Sequence, residues 1–424
     1  MDSATLLPIQ KRNYVFPLIV IGSLFFIFGF ITWANSSLIP YLKIACELTT
    51  TQSLYVTSAF FAPYFIMAIP SSYILKKTGF KNGMSLGLFV MAIGAALFIP
   101  AAKSRSYPLF LTGLFVITTG LTILQTASNP YVTILGPIES AAKRISIMGI
   151  CNKVAGILAV IILGGIILKD ADAVTAKISG LSGATREVEL NALASRVINP
   201  YIFIAIAFSV LALIIYFIKL PEVRDEEQDI KDHVPTTKTS IFQFPHLILG
   251  AFAIFFYVGV EVISYDTFAN FGQSIGYSLD QAKYFSKYTG YALVFGYLLG
   301  ILLTPKYISQ RKALVISVIL SLIFVSVAVL TTGMIAVVCF ALLGFSNAIM
   351  WPAIWPLSIE GLGRFTKIGA ALLIMGIVGG AILPPLYGKL AEAMNSRQLA
   401  YVIMIPCYLY ILYYAIKGHT IRKT

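Results

Sequence analysis

KLPEVRDEEQDIKDHVPTTKTS, residues 219–240, is polar, carries charges of both signs and has no apolar periodicity. It separates two blocks of apolar sequence, and counting the runs on each side gives the fold. A membrane-spanning helix needs about 20 mostly apolar residues. Six such runs precede the polar stretch: 14–38, 54–75, 83–100, 107–135, 146–168 and 200–218. Six follow it: 245–265, 284–303, 313–330, 334–357, 368–386 and 400–416. The layout repeats, because the first and seventh runs start about 230 residues apart and so do the second and eighth. Short basic loops recur at the same offset, at 76–82 and 305–312. Little residue identity accompanies this, so the repeat is one of hydropathy. The expectation is an all-α membrane protein of twelve transmembrane helices in two pseudo-symmetric six-helix bundles. Residues 1–218 form the first bundle, 219–243 a cytoplasmic linker and 244–424 the second.

Composition supports a bilayer. Of 424 residues, 58% are hydrophobic and 12% charged, against about 25% charged in a soluble domain. Mean hydropathy is +0.86. A soluble chain of this size needs a larger polar surface. The net charge of +13 does not indicate nucleic acid, because no basic stripe stands apart from the apolar runs. It has a membrane explanation instead. With the N-terminus inside, nineteen Lys and Arg fall in cytoplasmic segments and eleven in outer ones, with Lys153 inside a helix. Basic residues favour the cytoplasmic side, so both termini are expected there. The first apolar run is too long for a signal-peptide core and lacks a small-residue cleavage site. Cys46, Cys151, Cys339 and Cys407 lie scattered in or beside apolar runs and read as small buried hydrophobes. No metal-ligand spacing and no nucleophile–base set occurs, so neither a metal site nor an enzyme is expected.

Polar side chains inside a bilayer are costly and usually face a bundle interior or a water-filled cavity. Here they are few. Trp33 and Asn35 end the first run, Gln125 and Asn129 lie in the fourth, and Asn152 and Lys153 in the fifth. Glu261 lies in the seventh with Asp266 just beyond, and Asn347, Trp351 and Trp355 lie in the tenth. Gln125 and Asn129, four apart, share a helix face, as do Asn347, Trp351 and Trp355. Amides donate to and accept from sugar hydroxyls, and aromatic rings cover sugar C–H faces. Amides beside tryptophan with few charges suit a neutral polyol; an anion would call for clustered arginine. Helical amides also tie neighbouring helices together, and tryptophan also anchors helix ends at the interface.

Glu261 is the leading coupling residue: a carboxyl in a cavity can exchange a proton as the cavity changes face, or hold a sodium ion. At 1.5 Å per residue, Lys153 should lie roughly 10 Å and Glu261 roughly 24 Å from the cytoplasmic end. A direct pair between them is therefore not expected. Lys153 and Asp266 are the further coupling candidates, Asp266 with the alternative reading of a solvated residue at the outer helix end. Gly376, Gly379 and Gly380 near Pro384 and Pro385 read as packing and bending, since glycines let helices approach closely.

Five stretches then resemble the fucose–proton symporter family of the major facilitator superfamily: FFIFGFITWANSSLIPYLK, GLTILQTASNPYVTILGP, RISIMGICNKVAG, FYVGVEV and TKIGAALLIMGIVGGAILPPLYG. Together they span nearly the whole chain. The similarity is greatest to the glucose/galactose transporter branch, where glutamine is usual at the position of Gln125. The resemblance implies a bacterial inner-membrane monomer working by alternating access, with the first, fourth, seventh and tenth helices lining a central cavity. It also implies cavity positions for Gln125, Asn129, Asn152 and Glu261. Fucose-type members carry Asn-Asp late in the first helix and glutamate in the fourth; this chain has Asn35-Ser36 and Gln125, so it lacks both carboxyls. The expected function is hexose transport, glucose or galactose, with cation-coupled uptake (H+ or Na+), without a cofactor. The alternatives are facilitated diffusion, N-acetylglucosamine or fucose as solute, or a membrane sugar sensor, which should add a soluble domain or long tail.

Overall fold

A computed structural model of the chain describes residues 15–134, 141–218, 239–304, 307–362 and 365–421. Most of the polar linker, residues 219–238, lies outside the described residues, as does the side chain of Asn129. Among the described residues, eleven helical stretches are long and apolar enough to cross a membrane. One, Thr50–Lys103, has 54 residues, roughly 80 Å of helix against a hydrocarbon core of about 30 Å. It holds two crossings. Within its Tyr55–Ala96 helix, Gly79 adopts φ 74 and ψ 172, a conformation open to glycine and strained for residues with a Cβ. The chain reverses there, inside the expected 76–82 loop. Twelve crossings result.

Several crossings are broken along their length. The first is Val15–Trp33 followed by Asn35–Ala45. The tenth is Gly333–Asn347 followed by Met350–Ile359. The eleventh runs from Thr366–Met375 through a 3-10 turn at Gly376–Val378 into Gly379–Ala393. Breaks of this kind expose backbone groups and survive where protein surrounds them.

Packing follows the expected pseudo-symmetry. In the first half the first crossing packs on the fifth, and the fourth and sixth on the second and third. In the second half the seventh packs on the eleventh, the tenth on the eighth and ninth, and the twelfth on the ninth. The halves meet through the fifth against the eighth and the eleventh against the second, two contacts that exchange under the pseudo-two-fold. Matched glycines allow the tightest approaches. A Cβ on Gly29 would lie 1.8 Å from the Asn152 carbonyl oxygen, and one on Gly379 would lie 1.8 Å from that of Phe255. Backbone cannot yield as a flexible side chain does. Gly29→Ala is therefore expected to force the first and fifth crossings apart and to destabilise by about 3 kcal/mol or more. A thermal melt of the purified protein in detergent measures this; an unchanged melting temperature would contradict the packing.

The halves are also tied at one face, between the short helix Ala171–Ser179 and the turn Leu279–Ala282. The Asp172 carboxylate accepts from the N–H groups of Leu279 and Asp280 at 2.9 and 2.7 Å. The Asp280 carboxylate accepts from those of Ala171 and Asp172 at 3.0 and 3.1 Å. First-turn amides have no partner within their own helix, so each aspartate satisfies the other helix's open end. Lys283 adds bonds to Asp280 at 2.6 Å and to the Leu168 carbonyl at 2.7 Å. On the same face Thr51 N–H donates to Glu392 at 2.9 Å. Asp172→Ala should speed hydrogen exchange at the amides of Leu279 and Asp280; equal protection in mutant and parent would mean these bonds do not hold in solution.

Candidate functional site

The fifth crossing, Ala141–Ile167, and the seventh, Pro245–Asp266, belong to different halves, yet each places a charge where they meet. Lys153 Nζ lies 3.2 Å from Glu261 Oε1, with side-chain exposures of 10% and 11%. This corrects the expectation that the two stand apart. The fifth helix begins at Ala141, not Ser146, so Lys153 is about 18 Å from that helix's start. The remaining gap of about 6 Å to the level of Glu261 is within reach of a lysine side chain. At 3.2 Å the gross attraction is about 5 kcal/mol at an effective dielectric of 20, before the cost of desolvating both groups.

Aromatic rings surround the pair. Lys153 Nζ sits 4.4 Å from the Trp33 ring centroid and 5.8 Å from that of Tyr297. These contacts contribute about 0.5–2 kcal/mol each, so the carboxylate dominates the placement of the ammonium. Trp33 packs on Tyr265 at 4.1 Å and fits because Gly156 has no Cβ, which would lie 2.4 Å from the indole. Tyr257 and Tyr297 lie close enough to feel the Glu261 charge. Sequence reading missed these tyrosines. A signal existed for two of them: Tyr257, Glu261 and Tyr265 recur every fourth residue and so share one helix face. Tyr297, on the eighth crossing, had none.

The other expected site residues separate into groups. Gln125 is half-buried and donates to the Tyr64 hydroxyl at 3.1 Å, across to the second crossing. Asn152 adjoins Lys153 and makes a long contact of 3.4 Å to the Phe25 carbonyl. Asn35 is fully buried, and neither end of its amide has a partner among the described residues. Asn347 is fully buried too, but donates to Ser264 at 3.3 Å and accepts from Tyr408 at 3.0 Å. Its arrangement ties the seventh, tenth and twelfth crossings together. Trp351 stacks on Trp355 at 5.4 Å and approaches Tyr257 at 6.3 Å, which brings it to the Glu261 side of the second half.

Asp266 departs from expectation, since it is 1% exposed and neither carboxylate oxygen has a partner among the described residues. The chain does not enter solvent there: after Thr267 a second helix, Phe268–Ser274, continues and packs on the Asn35–Ala45 segment. Of the glycines, Gly376 and Gly379 pack on the seventh crossing, and Gly380 meets Phe61 of the other half.

Two six-helix halves meeting around a buried cross-half ion pair constitute a transporter architecture, and the comparisons agree. The sequence profile of the Major Facilitator Superfamily matches residues 21–384. This chain belongs to the Major Facilitator Superfamily. It is 40% identical over 413 residues to a glucose/galactose transporter of Brucella abortus, covering 96% of this chain and 95% of the relative. It is 30% identical over 417 residues to the L-fucose-proton symporter of Escherichia coli, covering 96% and 94%. The crystal structure of the superfamily transporter FucP in the outward conformation superposes with a TM-score of 0.71 at 28% identity, covering 95% of this chain and 99% of that one. As a superfamily member the chain is a multi-pass membrane transporter and not an enzyme.

Proposed function

We propose that this superfamily member carries a hexose, glucose or galactose, across a bacterial inner membrane by alternating access. The observation that carries the reading is the Lys153–Glu261 pair, which joins the two halves beside Trp33 and Trp351-bearing faces. Uncharged amides and indoles near that pair offer hydrogen bonds to sugar hydroxyls and flat surfaces to sugar rings. The glucose/galactose name of the relative at 40% identity supports the choice of solute.

Uptake is cation-coupled in this reading, with Glu261 as the exchanging carboxyl. The charge count along the sequence supports a cytoplasmic position for both termini. The aspartate-tied face, on the opposite side, is then the periplasmic one, closed in this conformation, and a single chain suffices for the cycle. Proteoliposomes containing the protein should exchange labelled glucose for internal glucose, with galactose competing. Gln125→Ala and Asn129→Ala should each weaken sugar binding by at least about tenfold, the loss of a good polar contact, with the fold intact. Normal binding in both variants would remove the site assignment. If fucose or N-acetylglucosamine alone competes, the solute is wrong and the carrier reading stands.

A further inference from the structure

Beneath the aspartate-tied face lies a cavity of about 380 Å³ at the seam between the halves. Six polar residues in its wall bear on its chemistry: Lys43, Arg186 and Asp172 from the first half, and Asn270, Gln273 and Arg397 from the second. Two of the charges are already answered. Asp172 accepts from two backbone amides, and Arg186 pairs with Glu47, which is also in the wall. The other two are not. Lys43 makes one hydrogen bond, to Thr50 at 2.9 Å, and neither it nor Arg397 has an ion-pair partner among the described residues. Glu392 is near Lys43, but it lies outside the cavity wall and accepts from Thr51 N–H.

Lys43 and Arg397 are also close enough to repel one another. Two cations brought together across a seam disfavour the closed face unless a negative charge lies between them. Asn270 supplies an independent sign. It is 1% exposed, and neither end of its side-chain amide has a partner among the described residues. A buried orphan amide usually marks a missing water, ion or ligand. An ammonium with spare protons, a guanidinium fork and an amide N–H match the oxygens of a tetrahedral anion.

We infer that this cavity binds an oxyanion of the phosphate type, held between Lys43 of one half and Arg397 and Asn270 of the other. Because its ligands come from both halves, the anion stabilises the conformation closed at this face and so regulates the carrier. None of the residues named for the solute lines this cavity, and the inference does not depend on which solute is carried.

The test uses the full purified chain in detergent. Sodium phosphate should raise the melting temperature saturably above sodium chloride of equal ionic strength. In Lys43→Gln and Arg397→Gln, half-saturation should need about tenfold more phosphate, since each removes one charge-assisted contact. No rise above chloride, or an unchanged response in both variants, would overturn the inference. If Lys43→Gln does not fold, Arg397→Gln decides alone, since that residue sits in a loop between crossings. Nanodiscs of phosphatidylcholine with and without phosphatidylglycerol, free of phosphate, identify the source. A rise with phosphatidylglycerol that the variants lose assigns a lipid headgroup as the oxyanion. A rise with glucose but not phosphate, lost in the same variants, makes the cavity a solute vestibule and refutes the anion site.

Discussion

Glu261→Gln is expected to abolish uphill sugar accumulation while sugar counterflow continues. Glutamine keeps nearly the same shape and can still meet Lys153 at the seam, but it can neither take up nor release a proton, and it gives a cation no charge. Exchange of sugar for sugar needs only that the two halves rock. Net accumulation needs a second species to move with the solute, and in the described membrane interior Glu261 is the carboxylate paired across the halves. The assay is labelled glucose uptake into proteoliposomes under an imposed proton or sodium gradient, beside counterflow in the same preparation. Accumulation at the parental level would exclude Glu261 as the coupling group.

The second large effect concerns stability. Lys153→Met should destabilise the protein by about 3–5 kcal/mol, the range seen when one member of a buried pair is removed and the other charge stays behind. The neighbouring tyrosines offer Glu261 no positive charge in compensation. Adding Glu261→Gln should recover most of that loss, because the double variant leaves no uncompensated charge. Thermal melts of the four proteins form a double-mutant cycle. Additive losses, with no recovery in the double variant, would show that the 3.2 Å contact contributes nothing net.

The crossings were legible because lipid imposes a length and an apolar character on every one, and both can be read without knowing any contact. Tertiary pairing was less legible. The fifth helix was expected to begin at Ser146 because Ala141–Ile145 carries Lys143 and Arg144, yet those residues are helical too. An error of five residues is about 7 Å along a helix, enough to separate Lys153 from Glu261 on paper. Asp266 departs for a related reason: the apolar run ends at Tyr265, whereas the chain continues into another helix and covers the carboxylate. At Asn347 periodicity puts the amide on a face with the tryptophans, but in the fold Ser264 and Tyr408 occupy both its ends. The cross-half aspartates gave no sequence signal, since their partners are backbone amides of a helix more than a hundred residues away.

That reciprocal grip has a kinetic meaning. When either carboxylate lets go, two backbone amides must find water in its place, so the contact is expected to be made or lost as a unit, like a latch. A passage shut by a latch is paced by discrete release rather than by gradual widening. Turnover should then climb steeply with temperature, and rates measured over a range of temperatures, with and without Asp172→Ala, would reveal whether it does.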